Sequence, residues 1–445
     1  MNLAQALRLD NTARLAIVGA GGKTSAMFAI ANALKQCNPL AGPVLLTTTT
    51  HLAVEQCAQA DSHFRVQSPD EVAQFALQRP AGVVLFTGTS INAGRISGPS
   101  TETLEAIFRL AEARGWPVLV EADGARLLPL KAPAEQEPSI PGWVNQVLVC
   151  AGLSATGKSF GPDSVHRPEI YAQLSGLADG DSITYQTITK VLNHPSGGLK
   201  NIPPSARRMV LLNQADSPEL QAVARRMADN LLGAYEAVII SSLLPARGEP
   251  AIHAVIETVA GIVLAAGSAS RFGQPKQLIH WQGETLVHRA ARTAVQAGLA
   301  PVLVITGAYS KEVEKAVTDL PVKCVFNPHW EAGQGTSVAK GVQSLPVRAG
   351  AAVFLLADQP QVPMALISRL VESHSYTFKP ITGPLIDGQR GNPVLFDRVT
   401  FKDLSQLQGD IGGRAIFSRY PVQWLPWHDA SAGLDIDTPA DLERL

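Results

Sequence analysis

The residues most able to do chemistry stand between Gly261 and Lys276. There the apolar run Gly261-Ile262-Val263-Leu264-Ala265 empties into Ala266-Gly267-Ser268-Ala269-Ser270 and then reaches Arg271 and Lys276. Small residues let a backbone approach phosphate oxygens and aim N–H groups at them, while two cations offset the charge of an incoming anion. Leu264, Ala265, Ala266 and Gly267 therefore read as the cradle of a nucleoside triphosphate, with Arg271 and Lys276 as catalytic cations. Two commoner nucleotide loops do not match this run. No Lys-Ser or Lys-Thr pair follows a glycine, and there is no G-x-G-x-x-G.

A bound triphosphate calls for a divalent cation, and Mg²⁺ usually takes only one or two carboxylates. Asp358, at the end of the apolar run 351–357, is the first candidate and carries both a catalytic and a metal-binding role. Asp437 is the second metal candidate; Asp435 shares its face of an extended segment, though only one of the pair needs to reach the metal. The segment from Gly333 to Gly341 reads as a loop opening a helix whose N-terminus faces an anion, with Gly335 and Ser337 among its contacts.

A second nucleotide loop stands near the start of the chain, in Gly19-Ala20-Gly21-Gly22-Lys23-Thr24. Gly22-Lys23-Thr24 matches G-K-[ST], but Ile17 occupies the position of the first P-loop glycine. Gly21, Gly22, Lys23 and Thr24 are expected to hold the phosphates of GTP or ATP. The acids Glu121 and Asp123, after the apolar run 118–120, fall on the usual Mg²⁺ side. Asn213 and Asp216 resemble the Asn-Lys-x-Asp pattern, in which the aspartate accepts from two guanine nitrogens. Residues 152–159 match the P-loop consensus at every fixed position. However, Phe160-Gly161-Pro162-Asp163 starts a turn where a helix is required, so this match is a decoy. His51 and His166 read as structural, hydrogen-bonded residues.

These loops need strands to deliver them. Short β-branched runs alternate with helix-like stretches: Leu15 to Val18, Val44 to Thr50, Val83 to Thr87, Val118 to Glu121, Val147 to Cys150 and Met209 to Leu212. A second series opens at Ile262 to Ala265 and continues through Val302 to Thr306, Val322 to Asn327, Val353 to Ala357 and Gly391 to Phe396. The fold class is α/β, with two domains each built on a mostly parallel sheet covered by helices on both faces. The first is P-loop-NTPase-like and the second Rossmann-like. The turn-rich stretch from Leu244 to Pro250 places the boundary near residue 255, giving domains 1–254 and 255–445.

A chain of 445 residues is too long for one ordinary core. Its formal net charge of −1 offers no basic surplus for nucleic acid, so no nucleic-acid partner is expected. No apolar run reaches membrane-spanning length and the N-terminus lacks a signal-like core, so no membrane partner and a cytoplasmic location are expected. The four cysteines, Cys37, Cys57, Cys150 and Cys324, lie far apart and read as buried free thiols.

Taken together, residues 258–445 resemble the MobA-like nucleotidyltransferases, and most closely the molybdenum cofactor cytidylyltransferases of the MocA type. The resemblance is carried by residues 264–267, 271–276, 333–341, 356–360, 391–396, 409–414 and 435–439, in that order. Within that superfamily the guanylyltransferases carry Gly where Ala266 stands, so Ala266 implies CTP. The resemblance implies transfer of CMP from CTP to the terminal phosphate of molybdopterin, with Mg²⁺, giving molybdopterin cytosine dinucleotide and pyrophosphate. A phosphate monoester has its second pKa near ~6, so the acceptor arrives ionised and needs positioning more than a base. Two departures stand out: Asn392 occupies a position where relatives usually carry His, and Gln136 another.

Residues 1 to about 250 resemble the selenium-dependent hydroxylase accessory proteins of the YqeC type, through residues 19–24, 47–52, 121–125, 128–133, 137–141 and 166–169. This resemblance implies a role in maturing molybdenum hydroxylases, with an apo-hydroxylase as partner. Two alternatives stand beside these readings. The second domain would transfer cytidylyl groups to an isoprenoid or sugar phosphate, and the first would be a docking module that hydrolyses nothing.

Overall fold

The computed structural model describes residues 1–37, 42–77, 80–92, 94–244, 251–268 and 274–442. It divides into two compact units, Met1–Ile256 and Glu257–Leu445. Most of the linker stretch, residues 245–250, lies outside the described residues.

In the first unit one sheet contains β1 (Arg14–Gly19), β2 (Val44–Thr48), β3 (Ser62–Arg65), β4 (Val83–Thr87), β5 (Val118–Glu121), β6 (Gln146–Gly152), β7 (Arg207–Asn213), β8 (Ala237–Ser241) and β9 (Ile252–Glu257). Their spatial order is β9-β8-β7-β6-β1-β5-β2-β4-β3. The pairings from β3 through β8 are parallel. Strands buried on both faces need no polar alternation, so β2 and β4 are apolar nearly throughout. Helices cover both faces. Ala224, Met227 and Leu231 of α3 (Pro218–Leu231) pack with Val149 and Val210, while Ile107 and Ala111 of α2 (Thr101–Arg114) pack with Leu45 and Val84. Ser100 caps α2 through the Thr103 amide, and Ser217 caps α3 through the Leu220 amide. α1 (Lys23–Cys37) follows β1 directly. Because the chain builds outward from β1 in both directions, the loop after β1 sits at a topological switch point, where such sheets bind ligands.

The second unit repeats that logic. Its sheet holds β10 (Val259–Ala265), β11 (Val302–Thr306), β12 (Val322–Phe326), β13 (Ala351–Leu356), β14 (Ile381–Ile386), β15 (Gln389–Arg390), β16 (Val394–Asp397) and β17 (Val422–Trp427). The order is β12-β11-β10-β13-β16-β14-β15, with β17 on β14. β10 lies parallel to β11 and β13, whereas β16 runs antiparallel to both β13 and β14. Period-two alternation divides β10. Val263 and Ala265 pack under α4 (Leu286–Gln296) and α6 (Met364–Thr377), while Ile262 and Leu264 pack toward α5 (Gln334–Gln343). The loops after β10 and β13 consequently leave adjacent parallel strands side by side.

Among the described residues no helix is long and apolar enough to cross a membrane. All four cysteines are free, but Cys37, at the end of α1, is exposed, which corrects the expectation of uniformly buried thiols.

Candidate active site

In the first unit, Gly19, Gly21 and Gly22 adopt φ values of +93°, +76° and +120° and turn the chain from β1 into α1. A Cβ at Gly21 would stand 2.3 Å from the Gly152 nitrogen, so only glycine serves there. Lys23 opens α1 and is buried. Its ammonium donates to the Gly19 carbonyl at 2.8 Å and pairs with Asp123 at 3.3 Å and Glu121 at 3.9 Å. Burial opposes its charge, but the two carboxylates outweigh that and raise its pKa. Thr24 Oγ1 donates to Glu121 Oε2 at 2.8 Å. β5 is hydrogen-bonded beside β1, so its terminal acids face the Lys-Thr pair.

The loop amides are more engaged than the sequence implies. Gly19 N donates to Asp123 Oδ2 at 3.0 Å, Ala20 N to the Cys150 carbonyl at 2.9 Å and Gly21 N to the Leu128 carbonyl at 3.1 Å. An anion would therefore meet the first turn of α1 and Lys23 rather than the whole loop.

Asn213 and Asp216 do not act as a pair. Asn213 is buried; its Nδ2 donates to the Gly21 carbonyl at 2.7 Å, and its Oδ1 accepts from Ser241 Oγ at 3.1 Å and Leu243 N at 3.0 Å. It clamps the loop, whereas Asp216 is exposed. In residues 152–159 a 3-10 turn over Leu153–Ala155 lies inside the matched loop, and at Lys158 and Ser159, where a working loop opens a helix, the chain bends and Ser159 bridges to Ser182 instead. His51 is exposed, and burial together with nearby Arg167 and Lys131 lowers the His166 pKa to about 4.

The sequence reading missed Lys131, although it lies within the resemblance segment 128–133. Its ammonium donates to Asp123 Oδ2 at 2.8 Å, the Gly124 carbonyl at 2.7 Å and Glu137 Oε2 at 2.9 Å. Arg167 completes the set with a bond to Glu137 Oε1 at 2.7 Å.

In the second unit a cavity of about 470 Å³ opens at the ends of β10 and β13, lined by Leu264, Ala266, Gly267, Lys276, Ser337 and Asp358 among others. Arg271 lies outside the described residues. Gln277, another residue the sequence reading missed, is buried and donates to the Gly267 carbonyl at 3.0 Å, anchoring the small-residue loop from below.

Burial raises the Asp358 pKa to about 6; the charge of Asp435 adds to this and Lys276 opposes it. Gln359 ties its neighbour to the same segment, since its Nε2 donates to Asp435 Oδ1 at 2.8 Å and the Ile436 amide donates to the Asp358 carbonyl at 3.0 Å. Asp437 is exposed and accepts from Lys276 at 2.5 Å. Ile436, between the two aspartates, is buried against Ile279 and Leu286, which brings the C-terminal segment to Lys276.

A hard divalent cation suits this oxygen-rich corner. Burial and Asp435 disfavour the charge on Asp358, which Lys276 offsets only in part, and Gln359 Oε1 is buried with no hydrogen-bond partner among the described residues. Among those residues no group of three or more His, Cys, Asp or Glu side chains has metal-ligating spacing, so any such ion would rest on one or two carboxylates.

The start of α5 departs from the expectation of a free helix N-terminus. The Gly335 amide donates to the Gly409 carbonyl at 2.9 Å, and Thr336 N to the Gly333 carbonyl at 3.2 Å. Ser337 is buried and accepts from Asn327 Nδ2 at 3.0 Å. This end of α5 presents side chains, Gln334 and Ser337, to the cavity more than open amides. A second cavity of about 280 Å³ adjoins the first through Leu264, Gln334 and Leu356, and is lined by Phe396, Phe417, Asn392, Arg414 and Asp435.

Known proteins match the two units separately. The family described as "YqeC protein" matches residues 15–169, and the MobA-like NTP transferase domain matches residues 261–424. The uncharacterized protein YqeC of Escherichia coli (strain K12) is 32% identical over 203 residues, 45% of this chain and 75% of that protein. The nicotine blue oxidoreductase of Paenarthrobacter nicotinovorans is 31% identical over 42% of this chain and 96% of its own length. A probable molybdenum cofactor guanylyltransferase of Bacillus cereus (strain Q1) is 29% identical over 40% of this chain and 88% of its own. Among solved structures, Rv0371c from Mycobacterium tuberculosis H37Rv superposes with a TM-score of 0.38 at 29% identity, covering 42% of this chain and 97% of that one. The chain thus belongs to the YqeC family through its first unit and to the MobA-like nucleotidyltransferases through its second.

Proposed function

We propose that the second unit transfers CMP from CTP to molybdopterin, giving molybdopterin cytosine dinucleotide and pyrophosphate. The observation that carries this reading is the pairing of two adjoining cavities. One is lined by the small-residue loop, Lys276 and Asp358; the other has aromatic walls with Asn392 and Arg414 at polar positions. The first suits a nucleoside triphosphate. The second suits a flat heterocycle bearing a phosphate, with Arg414 available to the anion. Asp358 and Asp437 would hold Mg²⁺, which when bound neutralises charge on the phosphates. Lys276 and Arg271 supply the remaining positive charge, Gln277 keeps the loop in place, and Gln334, which lines both cavities, orients donor and acceptor toward each other.

The first unit, in the same reading, binds GTP or ATP through Gly21, Gly22, Lys23 and Thr24. It helps mature a molybdenum hydroxylase that receives the cytidylylated cofactor. The reading is supported by the convergence of Lys23, Thr24, Glu121 and Asp123 at one sheet edge.

A second reading takes GTP as the nucleotide of the second unit, because one of the similar proteins is named a probable molybdenum cofactor guanylyltransferase. The test mixes Mo-molybdopterin, Mg²⁺ and either CTP or GTP with the full chain and follows pyrophosphate. Turnover with CTP above GTP is expected. Faster turnover with GTP would establish the second reading, and no turnover with either would refute both.

A further inference from the structure

Asp358 sits at the start of a loop that has little backbone bonding of its own. Ala357 N reaches the Leu264 carbonyl at 3.3 Å, Gln359 N the Leu356 carbonyl at 3.4 Å and Val362 N the Gln359 carbonyl at 3.5 Å, all at the long end of hydrogen bonding. Other tethers come from elsewhere in the second unit: Ile436 and Asp435 hold Asp358 and Gln359 at the start of the loop, and a further bond holds Pro360. Arg289, on α4, donates from Nε to the Pro360 carbonyl at 2.7 Å.

That guanidinium is itself held from two further directions. Its carbon stands 4.2 Å from the centre of the Trp281 ring, a cation–π contact. Its Nη1 donates to Glu284 Oε1 at 3.0 Å. Glu284 is fixed in turn by Arg292, through bonds of 3.0 and 2.6 Å, and by His288 Nδ1 at 2.7 Å. Hydrogen bonds from Arg292 lead the causes that hold the Glu284 carboxyl down at about 2, so it stays charged at any working pH. A planar donor braced by a ring and a carboxylate loses little freedom when it makes one more bond.

We propose that Arg289 is a positioning residue for nucleotidyl transfer, which holds the Asp358 loop in register through the Pro360 carbonyl without touching nucleotide or acceptor. The proposal rests on the nucleotidyltransferase reading of the second unit. A carboxylate displaced by about 1 Å costs on the order of 100-fold in rate, whereas the nucleotide contacts of the small-residue loop are left in place.

The test uses the full chain as wild type, Arg289→Ala and Arg289→Lys. Hydrogen exchange of the peptide covering 357–362 is followed alongside pyrophosphate release with Mo-molybdopterin, Mg²⁺ and CTP or GTP. Exchange of that peptide should speed at least about tenfold in Arg289→Ala, with the exchange of β10 and β11 unchanged. Turnover (kcat) should fall about 10- to 100-fold, while KM for the nucleotide moves less than about threefold. Methylguanidinium should restore part of kcat in Arg289→Ala. Arg289→Lys, which retains the charge and guards against a misfolded alanine variant, should remain slow because an ammonium lacks the planar fork. Unchanged exchange at 357–362, unchanged kcat, or a loss that methylguanidinium does not relieve would overturn the proposal. Should wild type turn over neither nucleotide, the substrate assignment fails, while the exchange measurement still decides whether Arg289 holds the loop.

Discussion

Lys276 and Asp437 are 161 residues apart in the chain and meet in an ion pair of 2.5 Å. Lys276 is mostly sheltered, with 18% of its side chain exposed, while Asp437 shows 68%. The cation assigned to the phosphates and a carboxylate assigned to the metal thus neutralise each other in the arrangement described. Binding a metal–nucleotide pair would exchange one internal ion pair for two external ones, Asp437 with the metal and Lys276 with the phosphates.

Lys276→Ala should therefore lower kcat by about 100- to 1,000-fold, the effect of losing a charge aimed at a developing anion. Asp437→Asn should weaken Mn²⁺ at least about tenfold, read by electron paramagnetic resonance of the full chain. Mn²⁺ affinity unchanged in Asp437→Asn would reduce Asp437 to a tether for Lys276 and leave Asp435, which bears more strongly on the Asp358 pKa, as the second carboxylate.

In the first unit Thr24→Val is the cleanest probe of the nucleotide site. It removes the hydroxyl that donates to the buried Glu121 Oε2 but keeps the Lys23 ammonium beside the carboxylate. Stability should fall by about 1.5–3 kcal/mol, the range for a hydrogen bond to a charged group, while GTP or ATP affinity with Mg²⁺ should fall at least about tenfold. Titration calorimetry on the full chain reads the affinity, and urea unfolding the stability. Equal affinity in the variant would place any nucleotide elsewhere.

Glu137 supplies a pH test. Burial alone would raise its pKa, but hydrogen bonds from Arg167 and Lys131 outweigh that and hold it near 2 in the folded chain, against an ordinary value of 4.5. A carboxyl depressed on folding contributes stability fully above its unfolded pKa and loses it as pH falls through the folded one. Wild type should exceed Glu137→Gln by about 1.5–3 kcal/mol at pH 6, the range for hydrogen bonds to a charged group. The gap should narrow steadily below pH ~4.5 and nearly close by pH ~2. Urea unfolding at several pH values reads it, and a gap that widens on acidification would contradict the assignment.

The legible parts of this chain were strands that end in short loops of unusual composition. Both switch-point loops and Asp358 lie in single continuous segments, so residue type and order alone locate them. What escaped are contacts between segments remote in sequence. Asn213 looks like a base reader until β7 is set two strands from β1, where its side chain can reach the Gly21 carbonyl. Lys131, Gln277 and Arg289 carry no distinguishing pattern, because a lysine, glutamine or arginine acquires its role from the carbonyl or carboxylate the fold places before it. The engagement of the Gly21 and Gly335 amides follows from the same cause: their acceptors, Leu128 and Gly409, belong to other loops.

Ala266 gives the sharpest test of which nucleotide the second unit takes. It lines the larger cavity, is only 8% exposed, and its carbonyl accepts from the amide of Ala308, in the turn after β11, at 3.4 Å. If the second unit takes CTP as proposed, the Ala266 methyl group at the end of β10 would exclude a two-ring base while leaving room for a one-ring base. Removing one methyl group from such a wall changes discrimination by about 1–3 kcal/mol, or roughly 10- to 200-fold. Ala266→Gly should therefore lower kcat/KM for CTP relative to GTP by at least about tenfold, chiefly by admitting GTP. The ratio is read from pyrophosphate release with Mo-molybdopterin and each nucleotide in turn. A wild-type chain that already prefers GTP, or a ratio unmoved by the substitution, would remove Ala266 as the discriminating residue and shift the specificity to the cavity wall around Trp330 and Ser337.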